Sequence, residues 1–199
     1  DAKIGIGKGI CAVQNSCKQV YNLTDLPDDG SQFDLLFIDG DRLSLGELEI
    51  RVMDTPGHTP DSICYLIGDA VFIGDTLFAP TLGSARCDFP GGDATILFNS
   101  VTRILRLPDS TKLYMCHDYG PNGRDYQYLT TVKAERERNI HVNQTIDLAT
   151  FVQMRSERDA TLDMPTLILP AVQINIRAGE LPPAEDNGTR YIKVPINAI

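Results

Sequence analysis

The sequence predicts a layered α/β domain, on three observations. Short apolar segments separated by turn signals fill residues 35–73. From Ala94 the apolar period changes to that of a helix. A further short apolar segment then precedes two longer helical patterns. Strands followed by a helix, a strand and more helices are the order of a sheet covered by helices. At 199 residues, 42% hydrophobic and 23% charged, the composition is that of one globular domain, expected over residues 1–199.

The elements follow in chain order. Ala2-Lys3-Ile4-Gly5-Ile6 has strand character. Ile10, Val13, Cys17 and Val20 have helical spacing, and the Pro- and Asp-containing stretch 26–30 is a loop. Leu35-Leu36-Phe37-Ile38 reads as a short buried strand before the Asp39-Gly40 turn. Leu48, Ile50 and Val52 alternate with charged residues, the pattern of a half-buried strand. Ile63–Leu66 and Ala70–Ile73 flank Gly68-Asp69 and predict a hairpin. Ile96, Leu97, Val101, Ile104 and Leu105 form a helical stripe with Asp93 as N-cap and Pro108 beyond its end. Leu113–Cys116 predicts a strand. Tyr126–Arg138 and Leu148–Ala160 predict helices with charged outer faces, and Leu167–Ile176 a strand in the tail.

Charge and composition exclude several functions. The net charge of −9 and pI near 4.7 repel a phosphate backbone, so no nucleic-acid partner is expected. No apolar run approaches the roughly 20 residues of a membrane helix, so no membrane role is expected. Five cysteines with no C-x-x-C spacing argue against a disulfide framework and point to a reducing, cytoplasmic setting.

Three histidines allow each to be weighed. His58 follows Pro56-Gly57 just past a strand pattern. Asp75 follows Ile73-Gly74, where another apolar run stops. His117 ends the run Leu113–Cys116. Three strand ends thus deliver one potential ligand each, and imidazole with carboxylate suits zinc or Fe(II) better than calcium or magnesium. If His58 and Asp75 share an ion, their ligating atoms should lie roughly 3–4 Å apart. His141, in Asn139-Ile140-His141-Val142, has no such context and reads as structural.

Thr55-Pro56-Gly57-His58-Thr59-Pro60-Asp61-Ser62, Gly74-Asp75-Thr76-Leu77-Phe78 and Cys116-His117-Asp118-Tyr119 together resemble the metallo-β-lactamase superfamily. The segment Gly83-Ser84-Ala85-Arg86-Cys87-Asp88-Phe89-Pro90-Gly91-Gly92-Asp93, with its Arg-x-Asp-Phe run, and His117-Asp118-Tyr119 resemble its persulfide dioxygenase branch and the bacterial β-lactamase hydrolase-like proteins. The resemblance implies an αββα sandwich with the metal at one edge of the sheets. It implies a single Fe(II), with zinc as the alternative, and oxidation of glutathione persulfide by O2 to sulfite and thiol. His58 and Asp75 match two of three iron ligands, and His117 the conserved histidine beside the iron. Tyr119 matches a phenol near the substrate, Arg86 and Asp88 a structural ion pair beside the site, and Arg177 a contact to a glutathione carboxylate. Cys87 reads as a small buried residue rather than a nucleophile.

No His precedes His58, so the His-x-His-x-Asp-His motif that supplies the family's third iron ligand is missing. The expectation is an N-terminally truncated domain, with 163–199 as a tail packed on it, which alone holds iron poorly and turns over little. A homodimer is left open. Two further readings stand beside the oxygenase: a glyoxalase II-type thioester hydrolase, with Asp75 bridging two metals and His117 binding the second, and a metal-free binding or scaffold domain.

Overall fold

A six-stranded sheet organises the main core. In a computed structural model that describes residues 2–196, its strands lie in the order β3 (Arg42–Leu45), β4 (Leu48–Asp54), β5 (Ile63–Ile67), β6 (Ala70–Phe72), β7 (Lys112–Tyr114) and β8 (Leu129–Thr131). Residues 197–199, the end of the expected tail, lie outside the described residues. Every neighbouring pair is antiparallel except β6 and β7, which pair parallel with Val71 opposite Leu113. A parallel pair needs a crossover, and α2 (Ala94–Leu105) lies in it. Asp93 caps that helix by accepting from the Ile96 N–H at 2.8 Å. Because β4 and β6 are each antiparallel to β5, and β7 is parallel to β6, β4, β6 and β7 all run the same way.

Helices α2 and α4 (Leu148–Asp159) cover one face of the sheet, and Phe98 meets Phe151 with ring centroids 5.3 Å apart. Val71, Leu97, Ile104, Leu113 and Phe151 are fully buried between them. A second, smaller core joins α1 (Ile10–Val20), α5 (Ile168–Asn175) and the parallel pair β1 (Gly5–Gly7) and β2 (Leu35–Phe37). Ile10, Cys17, Leu23, Leu26 and Ile176 are buried in it.

Three expectations change. The tail segment 167–176 is helix α5, not strand: Pro165 and Pro170 disrupt ladder donors, and its apolar side chains face α1. The stretch 126–138 divides into strand β8 and the shorter helix α3 (Val132–Arg138), with Thr131 as N-cap. Leu35 and Ile38 are exposed, because β1 and β2 form only a two-stranded sheet that leaves those side chains uncovered.

Candidate metal centre

Strand direction brings the candidate ligands together. The carboxyl ends of β4, β6 and β7 point to one edge of the sheet, and His58, Asp75 and His117 follow those ends within a few residues. His58 Nε2 lies 3.7 Å from Asp75 Oδ2, and His117 Nε2 lies 3.3 Å from Asp75 Oδ1. Each oxygen of one carboxylate therefore faces a different imidazole. Two groups each about 2.1 Å from one ion stand roughly 3–4 Å apart, so this donor set fits a divalent transition metal. Cys116 adds a third donor type: its thiol donates to Asp75 Oδ1 at 2.8 Å. The Asp75, Cys116 and His117 ligating atoms all lie within 4.8 Å of one another. Desolvation, and then the hydrogen bond to Asp75, push that thiol up to about 12, so without a metal it stays protonated.

The loops behind these residues are held firmly. Gly57 has φ of +135°, and a Cβ there would overlap the Leu97 backbone, so α2 packs directly against the turn that presents His58. Asp93 N–H donates to the Gly57 carbonyl at 2.8 Å, and Ser100 Oγ donates to the Pro56 carbonyl at 2.7 Å. Beneath the site, Thr76 Oγ1 donates to Thr55 Oγ1 at 3.4 Å, and Cys64 packs between them. Burial pushes the Cys64 thiol up to about 11, which leaves it a packing group.

His58 is oriented from the side opposite the ion position. Its Nδ1 lies 2.8 Å from the Arg86 carbonyl oxygen. A carbonyl only accepts, so Nδ1 carries the proton and Nε2 keeps a free lone pair, as a metal-binding histidine requires. Phe89 meets the ring edge-on at 5.1 Å. Arg86 forks onto Asp88, with Nε at 2.6 Å and Nη2 at 2.5 Å, and donates through Nη1 to the Asp163 carbonyl at 2.9 Å. That guanidinium holds the Asp88 carboxyl below the usual carboxylate range. The pair braces the loop and clamps it to the segment after α4.

Helix α4 secures the same loop from inside. Arg155 and Asp159, both buried, pair at 2.6 Å. Arg155 donates to the Ser84 carbonyl at 3.2 Å, and Asp159 accepts from the Cys87 N–H at 2.8 Å. The helices were expected to carry their charges outward; Arg155 and Asp159 point inward because the loop's backbone groups need partners, and Glu135 of α3 is buried too, held by Asn139 Nδ2. The i, i+4 spacing of Arg155 and Asp159 was the available signal. His141 is buried, with Nδ1 accepting from the Ser84 N–H at 2.9 Å. Cys87 is buried too, and desolvation pushes its thiol up to about 12.

Asp118 accepts a bidentate contact from Arg124 at 2.6 and 2.7 Å and the Gln127 N–H, so it shapes the loop after His117. Tyr119 is 70% exposed and stacks along His117, with centroids 6.2 Å apart. His58, Asp75, His117, Tyr119 and Arg86 all line one cleft of about 490 Å³. Arg177 does not join them. It is buried beside α1 and α5, with Nη2 2.9 Å from Asp25 Oδ2 in an ion pair too bent for a hydrogen bond, and it lines a separate cavity. Arg177, expected to contact a glutathione carboxylate, lies outside the metal cleft: just past the end of α5, it turns toward the Leu23–Asp25 loop.

Residues 14–117 match the family model of the metallo-beta-lactamase superfamily. The chain belongs to the metallo-beta-lactamase superfamily. It is 51% identical over 99% of its length to "Glyoxylase B2" of Dictyostelium discoideum, covering 68% of that protein. It is 47% identical over its whole length to the "Beta-lactamase hydrolase-like protein" of Xylella fastidiosa, of which it covers 46%. It is 32% identical over 75% of its length to mitochondrial "Persulfide dioxygenase ETHE1" of Homo sapiens, of which it covers 56%. Among solved structures, ETHE1 from Myxococcus xanthus superposes with a TM-score of 0.67 at 36% identity, over 74% of this chain and 62% of that one. The expected metallo-β-lactamase-like α/β fold is thus the fold of the chain. Superfamily members bind divalent metals such as iron or zinc, and the fold is that of metal-dependent enzymes. No helix among the described residues is long and apolar enough to cross a membrane.

Proposed function

We propose that the protein carrying this chain is an Fe(II) persulfide dioxygenase, oxidising glutathione persulfide with O2 to sulfite and glutathione. One observation carries the reading most: the Arg86–Asp88 fork lies beside the candidate metal, and its Arg86 carbonyl fixes His58 through Nδ1. The likeness to ETHE1 proteins supports it. His58 and Asp75 would hold the ion. When bound, iron supplies the redox chemistry that couples dioxygen to sulfur. The chain's own part is positional. Arg86 keeps His58 in the tautomer that offers Nε2, and Phe89 and Phe78 set their rings edge-on against His58 and His117. Tyr119 stands at the exposed rim, where its phenol can meet an incoming substrate.

A specific observation favours a second reading. Asp75 turns one oxygen to each of two imidazoles, the disposition a bridging carboxylate needs in a two-metal thioester hydrolase, and the likeness to a protein named Glyoxylase B2 accords with it. Metal analysis and product analysis separate the two. The 199-residue chain and the same chain preceded by a His-x-His-x-Asp-His segment from a relative are loaded with Fe(II) or Zn(II). The oxygenase reading expects one iron in the extended protein, with O2 uptake and sulfite release that fall at least a hundredfold in Asp75→Ala, and weak iron retention in the shorter chain. Two metals per chain and hydrolysis of a glutathione thioester without O2 uptake would replace it with the hydrolase.

A further inference from the structure

The cleft over the candidate metal is lined by three arginines, Arg86, Arg155 and Arg158, in a chain of net charge −9. Two are already answered. Arg86 is forked onto Asp88, and Arg155 is paired with Asp159. Arg158, on the last turn of α4, is exposed and has no carboxylate within 4 Å among the described residues; its side chain makes no hydrogen bond to them either. One uncompensated guanidinium therefore faces the cleft that holds His58, Asp75 and His117.

We propose that Arg158 is the carboxylate anchor of this site, and that the substrate is an anionic thiol derivative whose acid group reaches Arg158 while its sulfur lies at the metal. The inference rests on the reading of the cleft as a thiol-oxidising site and names its specificity residue. Three physical points carry it. A guanidinium is a rigid fork of donors matched to a carboxylate. The protein's overall negative field repels anions, and beyond about 8–10 Å it is screened by salt, so capture of an anion depends on charge close to the site. Apart from Asp75 at the metal position the lining carries no acid, and Phe78, Leu82, Leu162 and Pro165 give the wall no other group to answer Arg158. The separate cavity of Arg177 carries Asp25, Glu185 and Asp186 beside it, and so does not favour an anion.

The test is direct binding, which needs neither turnover nor a complete metal site. Calorimetric titration of the 199-residue chain with glutathione and with its diethyl ester measures the value of the acid groups. Wild type should prefer glutathione about tenfold or more over the ester. Arg158→Gln should lose that preference and weaken glutathione by a similar factor, Arg158→Lys should keep part of it, and Arg177→Gln should bind as wild type does. Circular dichroism checks that each variant is folded. Equal binding of acid and ester by wild type, no measurable binding of glutathione, or undiminished binding in Arg158→Gln would each overturn the anchor. Failure of the persulfide reading is seen separately, as absent O2 uptake in the extended protein while the charge-dependent binding persists.

Discussion

His58 and Glu135 show how single side chains here are set by what stands behind them. The imidazole offers one nitrogen because the other is spent on the Arg86 carbonyl. Glu135 is fully buried on α3, where Oε2 accepts from Asn139 Nδ2 at 2.6 Å and Oε1 has no hydrogen-bond partner among the described residues. Burial pushes its carboxyl up to about 7, from 4.5. A folded-state pKa above the unfolded one means the native protein holds that proton more tightly. The stabilisation is fully present below about 4.5 and is lost as pH rises through about 7. His141 works the other way: burial, then the charges of Arg155 and Arg158, lower it to about 4 from 6.5. Its contribution is present above about 6.5 and is lost as pH falls toward 4. The two oppose each other between about 4.5 and 6.5, and only Glu135 acts above that. Glu135→Gln should therefore raise stability by about 2 kcal/mol at pH 6 and by about 3 kcal/mol at pH 8. Denaturant midpoints at the two pH values measure this. A wild-type loss from pH 6 to 8 that persists undiminished in the variant would assign it elsewhere.

At the scale of elements, the site is a consequence of strand direction and two rigid supports. Adding a methyl at Gly57 meets the Leu97 backbone, and its φ of +135° strains any other residue. Gly57→Ala should cost more than about 1 kcal/mol. It should also displace His58 and weaken metal binding about tenfold or more, as read by competition with a chelator. Asp159→Ala should cost about 3–5 kcal/mol, because it strands the buried Arg155 charge and the Cys87 N–H; thermal unfolding would show it, and a loss under 1 kcal/mol would contradict the brace. Much of this was legible in the sequence. The helix 10–20, the capped helix from Ala94 and the hairpin at Gly68-Asp69 were marked by period and punctuation, and His58, Asp75 and His117 each stood where an apolar run stopped. What escaped depends on partners far away in sequence. Strand β3 is short and mostly exposed, so it lacks a clear alternation. Arg155 and Asp159 look like surface charges until the loop 83–88 is folded over them. Helix α5 carries an apolar run that strand and helix share, and only its packing on α1 decides between them.

The whole molecule is built around two cores of unequal size, and the candidate metal centre belongs to the larger. All three ligand positions follow strands of the six-stranded sheet, while α1, α5, β1 and β2 pack around the smaller core. The two meet where the β1–α1 turn passes Pro60 and Asp61, so closely that a Cβ on Gly9 would overlap the Pro60 carbonyl. Gln14 holds the smaller core together. It is fully buried, donates to the Ile176 carbonyl at 2.9 Å and to Gln32 at 2.6 Å, and accepts from the Gly30 N–H at 2.9 Å. One side chain thus ties α1 to the end of α5 and to the loop before β2. Gln14→Leu keeps the volume roughly but leaves the Gly30 N–H and the Ile176 carbonyl buried without partners, each worth about 1–3 kcal/mol. Because stability is distributed in units that open separately, the loss should be local. Hydrogen exchange should quicken in α1, α5 and residues 26–32 while the amides of β4 to β7 keep their protection and Zn(II) affinity stays within about twofold. Uniform loss of protection across both cores would mean that they unfold as one unit, with the metal edge depending on Gln14 through the Gly9–Pro60 contact.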